Sequence, residues 1–159
     1  MSSKTLGNLM RVSVIAAAIC GQFLCAYIIP VWGWNVACAN PEFAGWFWPW
    51  LIFAWAFSIP CFAILYFVWR VSGTVYNETV FTMQTANWVK AAAVTLLCGA
   101  VLLFVGNVVL FLLNMNHPGI LLMFMVGDIF VIALVLFAAV LARYITKAAV
   151  LQEESWGTL

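Results

Sequence analysis

Polar and apolar positions segregate on the scale of whole helices. Four apolar runs, Val12–Trp32, Trp46–Trp69, Val89–Leu113 and Gly119–Leu141, are separated by short polar stretches. Each run is long enough to cross a bilayer core of about 30 Å, which takes about 20 residues of α-helix. The pattern predicts an all-α integral membrane four-helix bundle. Its helices are expected at about 12–32, 46–69, 89–113 and 119–142. The last is expected to continue to about residue 153, because the sequence after Leu141 keeps a helical composition. All 159 residues form one transmembrane domain.

The connections refine this. Gly33–Gly45 reads as a loop, bracketed by Trp32, Trp34, Trp46, Trp48 and Trp50. Indole pairs an apolar body with a polar N–H and favours the headgroup layer, so these five predict an interfacial aromatic belt. The alternative for them is an aromatic mouth for a ligand. Pro60 predicts a kink in the second run. Arg70–Trp88 is the longest polar connection, with Thr82 a natural N-cap. Asn114–Gly119 is short, so the third and fourth runs must be antiparallel neighbours.

Charge sets a direction. All six basic residues, Lys4, Arg11, Arg70, Lys90, Arg143 and Lys147, fall on one side if the chain crosses four times. The positive-inside rule then predicts an inner or plasma membrane protein with both termini in the cytoplasm. On that assignment Asn77-Glu78-Thr79 faces the cytoplasm and is not a glycosylation site.

Composition agrees. The chain is 67% hydrophobic and 7% charged, against about 25% charged for a soluble domain. Lipid is the expected partner for most of the surface. The net charge of +1 argues against direct nucleic-acid binding. Of Cys20, Cys25, Cys38, Cys61 and Cys98, only Cys38 falls outside an apolar run. No spacing suggests a metal site or a disulfide framework. No metal, no cofactor and no catalytic machinery are expected. A quinone-coupled disulfide enzyme would need external cysteine pairs that this chain lacks.

Three features invite chemistry. Asp128 lies about 13 Å into its helix at 1.5 Å per residue, and is the one charge well inside an apolar run. It is expected to face the bundle interior, protonated or hydrogen-bonded, with Asn107 as first partner and Gln22 as second. Its bland role is a structural carboxyl tying helices together; its functional role is a proton-binding or cation-binding acid. The second feature is a stripe of small residues, Ala92, Thr95, Gly99 and Gly106, suited to close helix approach. The third is His117, the sole histidine, beside Pro118 in the hairpin turn. An ordinary interfacial histidine explains it, as does an external pH sensor. Leu141–Lys147 fits a loose sterol-contact pattern, which membrane anchoring explains equally well.

From Ile59-Pro60 onward the chain resembles the bacterial domain-of-unknown-function 2975 family of small four-helix membrane proteins. The resemblance rests on Ile59-Pro60 leading to Leu65-Tyr66, on Phe81 ahead of the third helix, on Pro118-Gly119-Ile120, and on Phe137-Ala138-Ala139-Val140-Leu141. Members typically end in an acidic-Asn-Asp-Leu-Thr segment. Here Trp156-Gly157 stands where Asp-Leu is expected, so no role of that tail carries over. The resemblance implies a membrane partner of a small helix-turn-helix transcription regulator and no catalytic residues.

Two functions follow as expectations. One is a regulatory or sensory membrane protein holding a cytoplasmic partner through Arg70–Trp88 and Arg143–Leu159. The alternative is a proton- or ion-coupled transporter that uses Asp128 and forms a homodimer through the small-residue stripe.

Overall fold

The structure, a computed structural model, describes residues 2–157, with the backbone alone at 156 and 157. Helix α1 spans Ser3–Phe23 and passes through a π-helical turn at Leu24–Ile28 into α2, Ile29–Ala39. The three make one continuous rod. A 3-10 turn at Pro41–Trp46 leads to α3, Phe47–Tyr76; α4 is Met83–Leu112 and α5 is Pro118–Gly157. Among the described residues, four helical rods are long and apolar enough to cross a membrane. The protein is a multi-pass membrane protein.

Helices run further than the polar stretches suggest. The segment expected as a loop from Gly33 is helical to Ala39 and stops at Asn40-Pro41, where proline excludes the helical conformation of the residue before it. Most of the expected connection 70–88 is also helical. Helix α3 continues to Tyr76 and α4 starts at Met83, capped by Thr82 Oγ1 accepting from Thr85 N at 3.3 Å. Helix α3 runs unbroken through Pro60.

The π turn has a local cause. Ile29 N donates to Leu24 O, five residues back. In that register the next donor would be Pro30, which has no N–H. Cys25 O would be stranded in lipid, where an unpaired carbonyl is costly. Trp55 Nε1 donates to it at 3.1 Å and so pins α3 to the first rod.

Both short turns close by the same device. After α4, Met115 N donates to Leu110 O at 2.8 Å and Asn114 N to Phe111 O at 3.0 Å, with Asn114 at φ 59°. After α3, Thr79 N donates to Thr74 O and Glu78 N to Val75 O, with Glu78 also at φ 59°. These are Schellman caps that use Asn and Glu where glycine is commonest.

Packing follows chain order. The first rod lies on α3, α3 on α4, and α4 on α5; no Cα of the first rod comes within 8 Å of one in α5. The bundle is therefore an open row. Its central member, α4, carries two neighbouring stripes spaced alternately three and four residues apart. One is Ala86, Val89, Ala93, Leu96, Ala100, Leu103, Asn107 and Leu110; the other is Thr85, Trp88, Ala92, Thr95, Gly99, Leu102 and Gly106. The opposing stripe on α5 is Leu121, Phe124, Asp128, Val131, Val135, Ala138, Ala142, Ile145 and Ala149. Every other residue from Gly119 to Leu141 is exposed. Such three-four alternation is the signature of a left-handed antiparallel seam. Ala86 and Val89 cluster with Ala142 and Ile145, which sets the register and brings Asp128 level with Leu103, and Asn107 level with Phe124.

The second stripe on α4 faces α3. A Cβ on Gly99 would sit 3.5 Å from Pro60, and one on Gly106 would fall on the Phe53 ring. Trp88 meets the rings of Tyr66 and Phe67. At the far end of α3, Gly7 lies against Tyr76 so closely that a Cβ would be 2.8 Å from it. The Arg11 guanidinium lies over the Trp69 and Tyr76 rings at 5.6 and 5.1 Å. At 40 residues, α5 is about 60 Å long, twice the thickness of the bilayer core.

Candidate functional site

Elements converge at the hairpin end, where α2, the start of α3 and the α4–α5 turn line a half-open cavity of about 790 Å³. The size suits a small molecule. Its walls are mainly the rings of Trp32, Phe43, Trp46, Phe47 and Trp50 with Ile29, Val36, Leu51 and Ile120; Asn114, Met115, Asn116 and His117 supply the polar atoms. No Lys, Arg, Asp or Glu lines it. The indole of Trp50 donates to Met115 O at 2.8 Å, joining the start of α3 to the turn.

Asn116 closes the floor. It is 6% exposed, and its Nδ2 donates to Asn107 Oδ1 at 3.1 Å. Asn107 is 1% exposed and donates in turn to Leu103 O at 2.9 Å. Asn116 Oδ1 is buried and has no partner among the described residues. His117 N-caps α5, its Nδ1 accepting from Gly119 N at 3.1 Å.

The five belt tryptophans divide. Trp34 and Trp48 point outward, while Trp46 and Trp50 are half-buried in the cavity wall. Trp32 does both, lining the cavity while 71% exposed. Three of the five, Trp32, Trp46 and Trp50, therefore line the cavity, and Trp34 and Trp48 do not.

The polar trio expected around Asp128 is not brought together. Asp128 is 6% exposed in the α4–α5 seam, and neither carboxyl oxygen has a hydrogen-bond partner among the described residues. Asn107 lies one seam layer nearer the hairpin end and bonds Asn116 instead. Gln22 is exposed on the first rod, with two helices, α3 and α4, between it and α5 in the row. In the small-residue stripe, Gly99 and Gly106 face α3 of the same chain, and Ala92 and Thr95 are half-buried on that face. That surface is covered within one copy, so any homodimer must use another face. All five cysteines are free thiols.

Asn116 is the residue that sequence reading passed over. Its signal was present but faint: three polar residues in a hairpin turn read as solvent-facing, and only folding back onto Asn107 buries one of them.

A family model described as a protein of unknown function, DUF2975, matches residues 31–158. The chain belongs to that family. The match takes in the cavity-lining residues of α2 from Trp32 on, which the resemblance from Ile59 onward left out, and ends in residues beyond those the structure describes. No curated protein matches the chain, and no solved structure matches it.

Proposed function

We propose that the protein is a non-catalytic membrane sensor that binds a small molecule at its hairpin end and regulates a protein partner at its terminal end. One observation carries the reading. Asn116, in the cavity floor, is hydrogen-bonded to Asn107, in the seam that runs without interruption to Ile145 and Ala149. A ligand that moves the floor therefore acts directly on the packing of α4 against α5.

The terminal end suits a partner. Helix α5 outlasts the bilayer, and Thr85, Ala86 and Ala149 are almost fully buried there, so the first turns of α4 and the last of α5 form a stiff platform. We place this end in the cytoplasm, since all six basic residues lie toward it. The partner we propose is a helix-turn-helix transcription regulator. Photo-crosslinking in cells from Gln152 tests this. The expected result is recovery of such a regulator and changed transcription when residues 148–159 are deleted. If neither occurs with the chain at its native level, the partner half of the proposal fails.

A second reading, an ion-coupled transporter, draws on the unpartnered oxygens of Asp128. Against it, the carboxyl is sealed in the seam and not in the cavity. Asp128→Asn would abolish pH-dependent uptake if this reading were right; unchanged uptake by a folded variant removes it.

A further inference from the structure

We infer that the hairpin-end cavity takes an uncharged, largely apolar molecule bearing one hydrogen-bond-donating hydroxyl, held at Asn116. The inference rests on the cavity being a ligand site and names the chemistry of the ligand.

Charge is excluded first. The walls carry no acid and no permanent cation, and a charged ligand moved from water into an apolar chamber would lose its hydration without a counterion. The apolar body follows from the indole and phenyl walls, which offer broad flat surfaces to a hydrocarbon or ring.

The hydroxyl follows from the one buried acceptor of the lining that lacks a partner among the described residues. Three acceptors at this end are already committed. Met115 O accepts from Trp50, Asn107 Oδ1 accepts from Asn116, and His117 Nδ1 accepts from Gly119. Among the described residues, Asn116 Oδ1 alone is a buried, unpartnered atom of a cavity-lining residue. An acceptor left unpaired is costly. Water is a poor remedy, because an ordered water needs two to four polar partners and the surrounding wall is mostly apolar. The oxygen is buried, so a ligand O–H reaches it once the amide turns about χ2, a broad torsion in Asn, and that turn loosens the bond from Nδ2 to Asn107. A ligand offering only an acceptor gains nothing there.

The test uses the full chain in nanodiscs and three probes of one shape: 4-nonylphenol, its methyl ether 4-nonylanisole, and 4-nonylbenzoate. Binding is measured with radiolabelled probe against empty nanodiscs. The phenol is expected to bind at least about tenfold more tightly than the ether and the benzoate weakest. In Asn116→Leu the phenol and ether should bind alike; if that variant does not fold, the ratio on the native chain decides. Equal binding of phenol and ether to the native chain overturns the inference while leaving the cavity a ligand site. Tighter binding of the benzoate overturns it too. If no probe binds above empty nanodiscs, the inference falls together with the sensor reading. Mass spectrometry of lipid extracted from the purified protein separates sources. An enriched neutral hydroxyl lipid supports a bilayer ligand. Its absence alongside phenol binding supports a ligand arriving from water. An enriched anionic lipid, lost in Trp46→Ala, contradicts the inference.

Discussion

Asn116 donates its side-chain amide to Asn107 across 3.1 Å, with both residues buried and nine positions apart in the chain. This bond stitches the hairpin turn into the α4–α5 seam. It also makes the cavity floor and the helix packing one structure. Asn107→Ala should cost about 1–3 kcal/mol, because Asn116 is then buried with both amide atoms unpaired. Asn116→Ala should cost less, and the double variant less than Asn107→Ala alone, because no stranded Asn116 amide then remains. Unfolding in mixed detergent gives all three values. Additive losses would mean that the two amides act independently.

Asp128 is the reverse case. A carboxyl sealed in the seam without a partner destabilises the helix pair, and an apolar side chain of similar size fits the layer occupied by Leu103. Asp128→Leu should raise stability by about 1–3 kcal/mol. If stability falls, a hydrogen-bonding role for the carboxyl has been missed.

The first rod and α3 are joined by a second dependent pair, Pro30 and Trp55. Trp55→Phe should cost about 1 kcal/mol, since it strands the Cys25 carbonyl. In a Pro30→Ala background, residue 30 regains an N–H able to satisfy that carbonyl. The same Trp55→Phe change should then cost close to nothing. Thermal melting of the four proteins in detergent checks the cycle.

Glycines on the helix faces should differ sharply. Gly7→Ala drives a methyl to within 2.8 Å of Tyr76 and 2.9 Å of its backbone, so a whole helix must shift, at a cost of about 1–3 kcal/mol. Gly99→Ala meets Pro60 at 3.5 Å, an ordinary contact. Alanine's better helix propensity should make it neutral or stabilising by up to about 1 kcal/mol. Equal effects would contradict the described packing of the first rod.

Much of this was legible in the sequence, for physical reasons. Lipid demands long apolar helices with internally satisfied backbones, so four runs mark four rods, and Thr82 marks the start of α4. Two things were not legible. Polarity changes place helix ends too early, whereas the chain stops helices at Asn40-Pro41 and at two Schellman caps, which tolerate polar helix on either side of the bilayer. Neighbours were also beyond reach. Gly99 and Gly106 signal a close approach but not which helix approaches, and Asn107 signals a buried bond but not that its partner is the turn residue Asn116 and not Asp128. A closed bundle would have let Gln22 near Asp128; the open row keeps them apart.

Hydrogen exchange of the protein in nanodiscs, with and without 4-nonylphenol, tests the central claim most directly: occupancy of the hairpin-end cavity is felt at the terminal platform. Backbone amides of residues 83–86 and 145–155 are the reporters. Binding of the phenol is expected to change their exchange rates at least about threefold, an effect absent in Asn107→Ala, which cuts the link to the seam. Unchanged exchange there, with the phenol demonstrably bound, would contradict the account.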